Sequence, residues 1–202
     1  MRNVIALCVV AMMASVASAA VGVGIVGVDN SAQLTGWVSQ DVVFTTDTDW
    51  ISSQMLITLT EGTVYQDDMG GITSPNPAWF TLAPTLEFDT YVSNGVVGDP
   101  LSAEGGAVNL GGDATLSFDE VGLNVNWFTT SDADTGALAL ARVTMSDTAQ
   151  GEWQVWMSAV NEQGDDFLVI TGGPVENGVM VPEPATLSVL ALGGLALIRR
   201  KK

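Results

Sequence analysis

Between residues 20 and 181, apolar and polar positions alternate with a period of two, the pattern of β-strands that bury one face and expose the other. The clearest runs lie at residues 55–60, 123–127 and 153–157, with Gly, Asn and Asp clustered between them. Outside the two ends of the chain, no stretch shows the spacing of an amphipathic helix. The pattern therefore predicts an all-β domain.

Four further segments place strands within that domain. The alternation over 86–92 predicts a strand that directs Glu87, Asp89 and Tyr91 outward and its apolar residues inward. Residues 137–146 are apolar on both parities, as in a central strand. Residues 153–157 and 167–170 flank a turn and predict a hairpin. The alternation of glycine with β-branched residues over 21–28 predicts an edge strand lying close under a neighbour.

Short strands separated by turns favour a β-sandwich, jelly-roll-like or immunoglobulin-like, of roughly 9–12 strands. We place this domain at residues 20–171. A span of about 160 residues is enough for one domain with a substantial core. Residues 172–181, which open with two glycines and a proline, are predicted to form a last short strand and a spacer.

The N-terminus has the layout of a secretory signal peptide, predicted to be helical. A positive start at residues 1–3 precedes an apolar run at 4–14, and Ala17 and Ala19 are spaced for signal-peptidase cleavage after Ala19. The only cysteine of the chain, Cys8, lies within this signal. The exported domain is thus expected to contain no disulfide and to depend on its core for stability.

The C-terminus has the layout of a membrane-stop segment, an apolar run followed by cations. Residues 185–198 carry no charge, and as a helix they would reach about 21 Å, short of the hydrocarbon core of about 30 Å. We therefore predict a marginal transmembrane helix. The four cations after it would hold the far end on the cytoplasmic side, with the β domain outside. These membrane-stop cations are Arg199, Arg200, Lys201 and Lys202.

Residues 182–202 also carry a family resemblance. Pro182, Glu183 and Pro184, followed by an apolar Leu/Ala/Gly stretch and a basic end, resemble the PEP-CTERM sorting signal of exported proteins in Gram-negative, exopolysaccharide-producing bacteria. The resemblance implies recognition by an exosortase, a membrane processing enzyme, then transient anchoring and sorting to the cell surface or extracellular matrix. An ordinary tail anchor is the alternative.

Charge limits the partners of the exported domain. Of the 23 acidic residues only Glu183 lies outside residues 20–181, and of the six basic residues only Arg142 lies inside. Such a negative field disfavours nucleic acid and anionic membrane surfaces. Every Trp, Phe and Tyr lies within the same range, which indicates a packed fold rather than disorder.

The residues available for catalysis are few. The chain has no histidine, and residues 20–181 contain no cysteine and no lysine, which excludes the usual triads, cysteine nucleophiles and Schiff-base chemistry. Paired carboxylates, as in glycosidases, remain. The candidate pairs are Glu87 with Asp89, Asp119 with Glu120, and Asp165 with Asp166. In so acidic a domain such pairs arise by chance, so no catalytic residue is assigned and we expect a protein that is not an enzyme.

Two further features suggest ligands. Asp47 with Asp49, and Asp132 with Asp134 before Gly136, place carboxylates two residues apart in loops, a spacing that suits calcium. Ordinary turn chemistry is the alternative, and no cofactor is assigned.

Trp156 shares the polar face of its strand and is a candidate for stacking on a sugar ring. Tyr91 would extend this stacking surface if the two strands were neighbours.

The sequence therefore predicts an exported, surface-sorted β-sandwich protein without enzymatic activity, associated with the cell envelope or with exopolysaccharide. A carbohydrate-binding module and a carboxylate glycosidase are the alternatives.

Overall fold

The computed structural model describes residues 22–98, 102–105, 117–128, 135–160 and 166–183. Within these ranges the regular structure is β-strand apart from two short 3₁₀ helices, and no α-helix occurs there. The all-β prediction is confirmed. The predicted signal and membrane helices fall outside the described residues.

The strands form two antiparallel sheets. In spatial order, the four-stranded sheet consists of β1 (Gly22–Val28), β2 (Trp37–Thr46), β8 (Gly136–Ser146) and β4 (Tyr91–Val92). The seven-stranded sheet consists of β11 (Val179–Met180), β10 (Asp166–Glu176), β9 (Gln150–Val160), β3 (Trp50–Glu61), β7 (Gly122–Phe128) and β5 (Ser102–Gly105), with β6 (Ser117–Asp119) also paired to β7.

The inward faces of both sheets share one hydrophobic core. Met55 and Ile57 on β3, Val125 and Trp127 on β7, and Val155 on β9 are all buried in it, as their alternation predicts. From the other sheet, β2 and β8 contribute apolar side chains to the same cluster. The indole N–H groups of two core tryptophans are satisfied inside the domain, since Trp50 donates to Ser53 Oγ and Trp127 donates to the carbonyl of Ser93.

The predicted central and edge strands are also present. β8 lies between β2 and β4, and β1 forms an edge of the four-stranded sheet. The predicted close approach of a neighbouring segment to β1 is not found at Gly24 or Gly27, because a Cβ atom built at either glycine would meet nothing within 4 Å.

The prediction of one strand over 86–92 is wrong. Pro84–Phe88 forms a 3₁₀ helix, and only Tyr91–Val92 is strand. Glu87 is exposed as expected, but Asp89 and Tyr91 are buried, at 0% and 3% exposure. Proline at the start of the segment presets a helical φ and lacks an N–H for sheet pairing, so the turn forms despite the alternation.

The C-terminal region adds more sheet than the sequence suggested. β10 continues through Glu176, and β11 follows within the segment assigned as last strand and spacer. Asn177 and Gly178 both have positive φ, at 53° and 77°, as in the type I′ turn that Asn-Gly pairs favour. A buried glutamine of β2, Gln40, fixes this hairpin to the other sheet: its amide donates to the carbonyl of Gly178 at 2.9 Å and accepts from the N–H of Met180 at 3.1 Å.

Candidate functional site

The segment that follows β11 stays attached to the edge of the seven-stranded sheet. The N–H of Val181 donates to the carbonyl of Pro174 at 3.0 Å, and the N–H of Glu183 donates to the carbonyl of Gly172 at 2.9 Å. The side chains of Pro182 and Glu183 are exposed. The residues at the start of the predicted sorting signal therefore form an extended edge segment whose backbone is paired with β10. We call Val181, Pro182 and Glu183 the edge segment.

The indole of Trp153 completes the pairing of the edge segment. Opposite Val181 stands Pro174, which has no N–H to donate. Trp153 lies on β9, directly across from Gly173 of β10. Its indole N–H donates to the carbonyl of Val181 at 3.4 Å. A core tryptophan thus supplies the donor that the proline lacks.

Glycine makes this close approach possible. A Cβ atom at Gly173 would lie 2.1 Å from the carbonyl oxygen of Val181, and one at Gly172 would lie 2.6 Å from that of Trp153. Any side chain at Gly173 would push the edge segment away. The sequence Gly172, Gly173, Pro174, which resembles a linker, therefore belongs to the sheet.

A surface groove of about 480 Å³ runs beside the edge segment. Among the residues that line it are Glu152, Gln154, Ile170, Thr171, Gly172 and Glu183. Two acids therefore face this groove, but one of them, Glu183, belongs to the predicted sorting signal.

The proposed Glu87 and Asp89 pair is not a pair of solvated carboxylates on one strand face. Asp89 accepts hydrogen bonds from the N–H groups of Asp67, at 2.8 Å, and Gly71, at 3.1 Å. Burial raises the pKa of Asp89 to about 6, against the lowering effect of these bonds. Asp89 therefore organises the loop at residues 67–71. Glycine at position 70 leaves room for this carboxylate, because a Cβ at Gly70 would overlap it.

Arg142, the one cation within residues 20–181, is used structurally. Its guanidinium forms a bidentate salt bridge with Asp41, with Nε donating to Oδ1 at 2.8 Å and Nη2 donating to Oδ2 at 3.0 Å. Nη1 donates to the carbonyl of Glu87 at 2.7 Å. It also lies 5.8 Å from the ring centroid of Tyr91. Burial raises the pKa of Tyr91 to about 12, against the lowering effect of Arg142. Arg142 therefore joins β2, β8 and the 3₁₀ turn.

The remaining carboxylate candidates form no described groove with two acids: Asp119 lines a groove of about 270 Å³, but Glu120 does not. Asp119 ends β6 and Glu120 begins the turn after it, and both are exposed. Asp119 accepts from Ser117 Oγ at 2.9 Å and from the N–H of Val121 at 3.0 Å. Asp165 and the side chain of Asp166 lie outside the described residues.

The calcium candidates are only partly described. Asp47 and Asp49 are exposed in the turn between β2 and β3, while Asp132 and Asp134 lie outside the described residues. In the part of the chain that is described, no group of three or more acidic, His or Cys side chains has an arrangement able to hold a metal ion.

The hypothesis of a sugar-stacking Trp156 needs correction. Trp156 is on the outward parity of β9, as predicted, but it is only 8% exposed. A sugar ring needs an open aromatic face, which this burial removes. Tyr91 is buried too, and its strand belongs to the other sheet, so the two rings form no common platform.

Comparison with known proteins concerns the C-terminus. No curated protein matches the chain. Among the described residues, no helix combines the length and apolar character that a membrane crossing requires. The predicted helix 185–198 lies outside them, as do Ala17, Ala19, Pro184 and the four terminal cations. The family model of the PEP-CTERM protein-sorting motif matches residues 181–202, and the chain therefore ends in this sorting motif.

Proposed function

We propose that the protein is a non-enzymatic β-sandwich that an exosortase sorts to the cell surface, where it serves the envelope or the extracellular matrix. The observation that carries this proposal is the sorting motif at residues 181–202, whose first residues continue directly from the acidic β domain. The signal-peptide pattern at residues 1–19 supplies the export step that such sorting requires.

The chemistry of the domain supports a role without catalysis. The chain contains no histidine, and its candidate carboxylates are used to organise turns: Asp89 holds a loop and Asp119 closes one. The acids that line the groove, Glu152 and Glu183, offer a poor basis for a glycosidase because one of them is part of the sorting motif. Burial of Trp156 likewise weakens the carbohydrate-binding alternative.

The test replaces Pro182, Glu183 and Pro184 with alanine in the full chain, produced in a bacterium that has an exosortase. We expect the variant to remain in the membrane fraction with its tail intact, while the wild-type protein becomes accessible to protease added outside the cells. Glu176→Ala, an exposed acid just before the motif, serves as the matched control and should be sorted normally. Normal processing of the triple variant would refute the sorting proposal.

A further inference from the structure

We propose that the pairing of the edge segment with β10 is a gate on sorting: the processing enzyme receives the motif only after Val181, Pro182 and Glu183 leave the sheet. This inference rests on the proposed sorting function. It adds to that function a conformational step that the β domain itself controls.

The contacts that close the gate come from both backbone and side chain. Two backbone hydrogen bonds hold Val181 and Glu183 to β10, and the Trp153 indole holds the carbonyl of Val181. All three contacts fall within the motif match, which begins at residue 181. The domain therefore occupies backbone groups of the same residues that the enzyme must recognise.

Recognition of an extended peptide generally uses its main-chain N–H and C=O groups together with alternate side chains. In the closed arrangement, the Glu183 N–H and the Val181 carbonyl are already paired within the domain. The side chains of Pro182 and Glu183 are exposed, whereas these backbone groups are not free. An enzyme that binds the motif through these main-chain groups must first separate the edge segment from β10.

The gate is weak enough to open without unfolding the domain. Each hydrogen bond contributes only about 1 kcal/mol net in water, so a segment held by two or three of them is expected to be open for about 0.1–10% of the time. The preceding hairpin is held more firmly, because Gln40 bonds both Gly178 and Met180. Opening should therefore stop near residue 180.

Two substitutions should shift the gate in opposite directions. Gly173→Ala places a methyl group 2.1 Å from the carbonyl oxygen of Val181, too close for both to stay in place, and should release the edge segment. Pro174→Ala gives β10 an N–H opposite Val181 and should hold the edge segment more tightly. Gly24→Ala is the matched control, since it adds a methyl to an edge strand where nothing lies within 4 Å.

The first readout is site-resolved hydrogen–deuterium exchange of the Val181 and Glu183 amides in the full chain, held in detergent micelles. Relative to the wild-type protein, we expect exchange about tenfold faster in Gly173→Ala and slower in Pro174→Ala, with Gly24→Ala unchanged. The Met180 amide, held by Gln40, reports whether the hairpin itself remains folded. Wild-type amides at 181 and 183 that exchange as fast as in a free peptide would overturn the proposal.

The second readout is the rate of tail removal, followed by pulse-chase in an exosortase-containing bacterium. Faster removal from Gly173→Ala and slower removal from Pro174→Ala support the gate. Equal rates in all variants, alongside altered exchange, would refute it while leaving sorting intact. Failure of the wild-type chain to lose its tail would instead refute the sorting function on which the gate depends.

Discussion

Three polar groups of this domain are committed to structural contacts: the carboxylate of Asp89, the guanidinium of Arg142 and the indole N–H of Trp153. Asp89 binds backbone N–H groups of a loop, Arg142 is held by Asp41, and Trp153 supplies an N–H opposite a proline. Each of these roles depends on a partner far away in the chain. Local patterns could identify the residues but not their partners.

Asp89 gives the domain a specific dependence of stability on pH. Its pKa in the folded protein, about 6, lies above the ordinary value of 3.8, so the folded state binds this proton more tightly than the unfolded state does. The contribution of Asp89 to stability is therefore greatest below about pH 4 and is lost as the pH rises through 6, a change of up to about 3 kcal/mol.

Thermal melts between about pH 4 and about pH 7 measure this effect. Asp89→Asn should flatten the pH dependence relative to the wild-type protein. Asp68→Asn changes an exposed acid of the same loop and should leave the wild-type slope in place. Parallel curves for the wild-type protein and Asp89→Asn would show that Asp89 does not titrate as described.

At the level of elements, periodicity predicts the strands that bury one face and fails where a turn imitates it. β3, β7 and β9 follow their alternation because their inward residues form the core between the two sheets, and β8, apolar on both parities, lies inside its sheet. The segment 86–92 alternates as well, yet it turns at Pro84–Phe88 and buries Asp89 against a distant loop. The sequence also did not predict the pairing of the edge segment, because Gly172, Gly173 and Pro174 resemble a linker until the segments that pair with them are known.

The β10–β11 hairpin depends on glycine at position 178. Gly178 has a φ of 77°, and a Cβ there would meet the carbonyl oxygen of Ser146 at 2.5 Å. We expect Gly178→Ala to lower the free energy of unfolding by about 2 kcal/mol. Asn177→Gly keeps the type I′ turn and should stay within about 0.5 kcal/mol of the wild-type value.

Urea denaturation of the two hairpin variants distinguishes these outcomes. If both variants had the same stability, the positive φ at Gly178 and its close contact with Ser146 would not govern the hairpin.

For the whole molecule, charge is the dominant surface property. Within residues 20–181 a single cation, Arg142, stands against 22 acidic residues, and its guanidinium is bound by Asp41. Self-repulsion of such a surface opposes the compact state and weakens when salt screens it. This property suits an exported domain more than one that binds nucleic acid.

Salt should therefore stabilise the domain. We expect the melting temperature to rise as NaCl increases from about 10 mM to about 0.5 M. CaCl₂ at matched ionic strength separates screening from specific binding: an extra rise would indicate a calcium site such as Asp47 with Asp49. A melting temperature independent of NaCl would contradict the role assigned to self-repulsion.

The most direct test of the whole account is the intact mass of the protein recovered from the surface of an exosortase-containing bacterium. The account predicts a mature chain that lacks both the signal peptide, residues 1–19, and the C-terminal apolar segment with its four cations. A surface protein whose mass still includes residues 185–202 would contradict it.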